Sequence, residues 1–166
     1  MEQAVSATPR RERAFSMIEV LVALAIVGVL AALAVPGLYL SYARDQVVEA
    51  GSLVDVAKKG VSAAWSGAGT MPANNAEAGL PPPAKMVGNT VKSVTVSDGV
   101  IDVAFGNKAF GMLQDKVLTI RPAVVEDAPV VPIAWVCGNA PPPASMTVRG
   151  QNRTDVPESA LPVNCR

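Results

Sequence analysis

Residues 14–40 read AFSMIEVLVALAIVGVLAALAVPGLYL, and what keeps this stretch out of water decides the fold. From Val20 to Val35 it carries no charged or strongly polar side chain. Continued to Leu40, it reaches the roughly 20 residues that a helix needs to cross a ~30 Å hydrocarbon core. Segment 15–42 is therefore predicted as a membrane-spanning helix. It holds one carboxylate, Glu19, near its start and one proline, Pro36, near its end. A carboxylate within a membrane costs roughly 2.5–3.5 kcal/mol on insertion scales and usually has a partner. Two readings of Glu19 stand side by side. In one it snorkels to the headgroups. In the other it meets a cation of a neighbouring copy, because Phe15 lies one helical turn earlier and a cut before Phe15 would create an α-amino group at that depth. The helix N-terminus favours the negative charge in either case. Pro36 cannot donate to the carbonyl of Ala32, and Gly28 lowers helix propensity by ~1 kcal/mol relative to alanine. The stretch between them is a place where the helix can loosen.

The residues before the run, MEQAVSATPRRERA (1–14), form a short polar leader with Arg10, Arg11 and Arg13 against the apolar segment. Basic residues in that place orient it toward the cytoplasm. A secretory signal puts its small-residue cleavage site after the apolar region. Here the small residue, Ala14, comes before it, so removal of the leader would leave the apolar helix on the mature chain.

At 166 residues the chain has room for one domain and an appendage. Lys+Arg and Asp+Glu both number 14, so no global field draws nucleic acid or an anionic membrane. Histidine is absent, which removes the commonest general base and metal ligand. There is no convergent acid pair, phosphate-binding glycine loop or nucleophile motif. The chain is expected not to be an enzyme and to carry no cofactor or metal. Its two cysteines, Cys137 and Cys165, fit neither a CxxC redox pair nor a zinc site. Behind an export-like N-terminus they favour one disulfide in an oxidising compartment, with a pair of buried free thiols as the alternative.

Beyond Tyr42 the pattern becomes amphipathic. Val47, Ala50, Val54, Ala57, Val61 and Ala64 recur at 3-4 spacing and predict one apolar stripe on a continuing helix over 43–66, widened by Trp65. Asp55 and Lys59 form a helical i,i+4 pair off that stripe. Gly67, Gly69 and Pro72 end the helix, and 67–93 is a proline- and glycine-rich connection. Four β-rich runs follow within 94–137: Val94–Val96, Val100–Phe105, Val117–Arg121 and Ile133–Cys137. Ser97-Asp98-Gly99 marks a hairpin between the first two. The fold class is thus α+β. A long N-terminal helix, half membrane-embedded and half amphipathic, packs on a four-stranded antiparallel sheet. Segment 138–166 has no periodic apolar pattern and reads as a terminal loop closed by the cysteines.

The run A-F-S-M-I-E-V between a basic leader and a long apolar helix resembles the processing site of type IV prepilins. The runs GVIDVAFGNKA, KVLTIRP and IAWVCG resemble the globular domain of major pilins. That resemblance implies cleavage between Ala14 and Phe15 by a prepilin peptidase and N-methylation of Phe15. It implies that Glu19 meets the terminal amine of an adjacent subunit, and that Gly28, Pro36 and Arg44 fall at family positions. Ala14 departs from the glycine usual before the cut. By this likeness the precursor sits in the inner membrane and then joins a homo-oligomeric helical filament at the cell surface, through the pilus assembly machinery. Adhesion, twitching motility and DNA uptake are what such filaments support. No receptor is identifiable, and Arg149 and Arg153 alone are a slight basis for DNA contact. A minor pilin or a type II secretion pseudopilin would share the same N-terminal logic. A membrane-anchored binding domain that never assembles is a further alternative.

Overall fold

A computed structural model describes residues 15–166, except for the side chain of Pro36. The backbone of helix α1 (Met17–Glu49) continues through Gly28 and Pro36. Helix α2 (Gly51–Ala68) follows after the single turn residue Ala50. The expected continuous helix is thus interrupted only slightly. Ala50 keeps helical angles, φ −61° and ψ −18°, and its carbonyl accepts from both Leu53 and Val54 N–H at 3.1 and 3.2 Å. Gly51, a poor helix former, follows directly. α2 ends where the glycines placed its end: Gly69 is left-handed (φ 69°), and its N–H donates to the Trp65 carbonyl at 2.9 Å. Asp55 pairs with Lys58, at 3.9 Å, rather than with the expected Lys59.

The described chain divides into two units, with the boundary between Gly37 and Leu38. In the second, five antiparallel strands form one sheet: β1 (Val91–Ser97), β2 (Val100–Phe105), β3 (Val117–Val124), β4 (Ala134–Cys137) and β5 (Thr147–Val148). The order is β1-β2-β3-β4, with β5 paired to the end of β3 through Ala123–Val148 and Val124–Thr147. Asp98 and Gly99, both at positive φ, make the two-residue turn between β1 and β2. Four strands lie where the β-rich runs predict them, with ends shifted by a few residues, and β5 is an addition from the tail.

The helical stripe and one face of the sheet make the core. Ala43, Val47, Ala50, Val54, Ala57 and Val61 are buried with Val94, Ile101, Val103, Phe105, Leu118 and Ile120. The stripe ends on Trp65, which is buried, rather than on Ala64, which is only partly covered. Small alanine and valine side chains let the helix lie close to the sheet, so that Phe105 at the centre is fully enclosed.

Two irregular segments finish this core. In the connection before β1, Asn75 is buried, and its amide donates to the carbonyls of Pro81 and Val94 at 3.0 Å each. Its oxygen accepts from Val96 N–H at 2.7 Å. One side chain therefore does the bonding of a strand residue along the outer edge of β1. The same connection presses its backbone on α2 at Gly60, where any Cβ would overlap the Ala78 carbonyl. After β5, the tail crosses the outer face of β3. Thr119 Oγ1 donates to Asp102 at 2.7 Å and accepts from Arg153 N–H at 3.0 Å, while the Arg153 guanidinium pairs with Asp102. Asp155 then exchanges bonds with Val117, donating N–H to its carbonyl at 3.0 Å and accepting its N–H at 2.5 Å. Gly150, at φ 81°, fits against Val100 where a side chain would not. Beyond this strap Val156, Ala160 and Leu161 turn back into the core.

Candidate assembly surface

Phe15 and Ser16 precede α1, and the Ser16 carbonyl accepts the Val20 N–H at 3.2 Å, closing the first turn. Glu19 lies in that turn and is exposed. It is the only acidic residue of the helix before Asp45. Around and beyond it Ile18, Leu21, Leu24, Val27 and Leu30 are exposed, and nothing among the described residues covers them. The helix is long and apolar enough to cross a membrane. Gly28 and Gly37 have no atom within 4 Å of where a Cβ would stand, so neither glycine answers to a contact inside the chain. Ala14 and the basic leader lie outside the described residues. The apolar part of the helix is thus a surface without a partner among the described residues, bearing one carboxylate at its N-terminal end.

In the second unit Cys137 and Cys165 are joined as a disulfide, with Cα atoms 4.6 Å apart. It ties β4 to the chain end, next to the hydrogen bond from Asn139 N–H to the Cys165 carbonyl at 3.0 Å. Arg44, on the helix, donates Nε–H to the Ser159 carbonyl at 2.9 Å and so also holds the tail. The two tail arginines are engaged within the chain. Arg149 pairs with Glu126 at 2.5 Å and stacks 5.2 Å over the Trp65 ring, and Arg153 pairs with Asp102. Neither presents a free guanidinium fork to a phosphate backbone.

Sequence patterning missed Gln46 and Phe110. Gln46 is buried on the helix, and its Oε1 accepts the Phe110 N–H at 2.7 Å. A lone polar residue beside Val47 on an otherwise apolar stripe was the available signal, but its acceptor role depends on a loop 64 residues away.

Comparison with known proteins fits this division into an uncovered helix and a disulfide-closed head. Residues 43–166 match the pilin family, described as a bacterial filament protein, and residues 9–35 match the prokaryotic N-terminal methylation motif. The chain belongs to the pilin family. Among similar proteins is the type IV major pilin protein PilE1 of Neisseria gonorrhoeae, 31% identical over 93% of this chain and 87% of that protein. Fimbrial protein EcpC of Eikenella corrodens is 30% identical over 77% and 83%. A fimbrial protein of Neisseria meningitidis serogroup B is 39% identical over 54% and 53%. Pilins are structural rather than enzymatic proteins, and the methylation motif marks this pilin as a substrate of processing. The motif spans Ala14, Phe15, Glu19 and Gly28, while the family match begins at Ala43, on the buried stripe.

Proposed function

We propose that this pilin is the structural subunit of a type IV pilus. The precursor is held in the inner membrane by segment 15–42. A prepilin peptidase cuts between Ala14 and Phe15, and the new N-terminus is methylated. Mature copies then leave the bilayer and bundle their helices in the filament core, with heads packed outside. Glu19 registers each entering copy by meeting the terminal amine of a neighbour, while Gly28 and Pro36 give the helix the freedom to adapt. Adhesion and twitching motility are the work of the finished filament, with DNA uptake the least supported because Arg149 and Arg153 are already paired.

One observation carries the reading. Among the described residues, the apolar stretch from Phe15 to Val35 is exposed throughout, yet it holds a carboxylate in its first helical turn, where a passive anchor needs none. Replacing lipid by other copies of the same helix buries that surface, and a facing amine offsets the cost of Glu19. Glu19→Ala is expected to abolish or scramble sheared surface filaments and to leave membrane insertion intact. Normal filaments from that variant would remove Glu19 from assembly. Mass spectrometry of the mature protein is expected to find a methylated Phe15, and an intact Met1 would overturn the leader assignment. If the chain proves a trace component of sheared filaments, it is a minor pilin instead.

A further inference from the structure

Tyr39 and Tyr42 are the only tyrosines in the chain, and both meet Phe110. Tyr39 stacks on the Phe110 ring with centroids 5.8 Å apart and planes at 15°, and Tyr42 meets the same ring edge-on at 5.8 Å and 88°. Phe110 belongs to the turn between β2 and β3, which is fixed to the helix by the bond to Gln46. Core packing would enclose these rings, but Tyr39 and Tyr42 remain 54% and 56% exposed, with Leu38 exposed beside them. We propose that Tyr39, Tyr42 and Phe110 form an aromatic belt that seats the pilin head in the phospholipid headgroup region while the chain is a membrane-anchored monomer.

The order of residues along α1 supports this occupant. Uniformly apolar sequence ends at Leu40, the tyrosines stand at 39 and 42, and the charges begin with Arg44, Asp45 and Glu49. That is the succession from hydrocarbon to interface to water, and tyrosine, apolar in its ring and polar at its tip, concentrates at the middle level. Phe110 is held at the same level by its contacts with both tyrosines. Lys108, exposed two residues before it, supplies a cation suited to lipid phosphate oxygens. A lone membrane helix would let the head swivel on its tether. A cluster of aromatics drawn from both the helix and the β2–β3 turn gives the head a preferred seat before assembly.

The proposal rests on segment 15–42 spanning the membrane, and the test separates the two. The full-length chain is labelled with 3-fluorotyrosine, which reports on Tyr39 and Tyr42, or with 4-fluorophenylalanine, which reports on Phe15, Phe105 and Phe110. It is placed in phosphatidylcholine nanodiscs, and ¹⁹F spectra are recorded with a lipid nitroxide near the headgroup or with a water-soluble gadolinium chelate. The expected result is that lipid nitroxide broadens Tyr39, Tyr42, Phe110 and Phe15 and leaves Phe105, in the core, sharp. Tyrosine and Phe110 signals untouched by the lipid but broadened by the chelate, with Phe15 still broadened by the lipid, would overturn the belt and leave the span standing. A sharp Phe15 as well would show that the span itself is wrong, and the belt falls with it. Tyrosines shielded from both reagents in a concentration-dependent oligomer would make this a surface between copies and refute the headgroup assignment.

Discussion

Leu24 and Phe105 are both large apolar side chains, yet Leu24 is 63% exposed and Phe105 not at all. The first belongs to the helix up to Gly37, the second to the head from Leu38 onward. In the head, Ile101, Val103 and Phe105 of β2 are buried in one cluster with the alanines and valines of the helical stripe, so the chain is its own solvent. In the N-terminal helix the same kinds of residues have no counterpart among the described residues. The difference separates stability from assembly. Changes in the head are expected to alter whether one copy folds, and changes in the helix what a copy does with lipid or with other copies.

The sharpest way to break this comparison is to truncate one residue from each region. Phe105→Ala is expected to destabilise the head by about 3–5 kcal/mol, because the cavity lies at a fully enclosed site. Leu24→Ala is expected to change it by less than about 0.5 kcal/mol. Denaturant unfolding followed by the fluorescence of Trp65 and Trp135, both in the head, reads both variants. A comparable loss from Leu24→Ala would mean that the helix is part of the head's cooperative unit. Next in size is the double variant Cys137→Ser with Cys165→Ser. The bond closes a sequence separation of 28, for which chain entropy predicts a loss of ~3.6 kcal/mol. Because Arg153, Thr119 and Asp155 fasten the tail independently, amide exchange at Arg149, Arg153 and Asp155 is expected to remain slow at low temperature. Fast exchange there would make the disulfide the tail's sole fastening.

Asn75→Ala comes third, at about 1–3 kcal/mol, since it leaves the Val94 carbonyl and the Val96 N–H without their partner. An unchanged midpoint would mean that the β1 edge finds other partners. Smallest is Gly28→Ala. No atom lies within 4 Å of the added Cβ, and alanine is favoured in a helix by ~1 kcal/mol. The head's unfolding midpoint is expected not to move. Any loss of filaments from this variant must then arise between copies, and a shifted midpoint would contradict the separation.

What could be read from sequence follows the same boundary between local and distant causes. The apolar helix, its amphipathic continuation, the Asp98-Gly99 turn and the glycine stop at Gly69 are all set by neighbours within a few positions, and all are where the pattern puts them. Cysteine usage pointed to the bond that forms. The tail shows the limit. Val156, Ala160 and Leu161 enter the core without any repeat, and Thr147–Val148 becomes a strand only because β3 extends past β2 and offers it an edge. Asn75 and Gln46 likewise look like ordinary polar residues until the backbone groups they serve arrive from elsewhere in the fold. At the assembly surface, the identity of Glu19 was legible because a carboxylate is out of place there. The partner proposed for it, the terminal amine of a neighbouring copy, was read from the same stretch of sequence.

Asn75 bears on polymerisation as well as on folding. A row of unpaired backbone groups along β1 would invite strands of other copies to add to the sheet, and such additions are hard to reverse. The side chain of Asn75 occupies two of those groups, at Val94 and Val96, while the carbonyls of Pro72 and Ala73 accept from the N–H groups of Gly99 and Asp98 in the adjoining turn. A protein destined to polymerise must do so along one route only. By stoppering this margin of the sheet, the fold discourages edge-to-edge addition of one head to another.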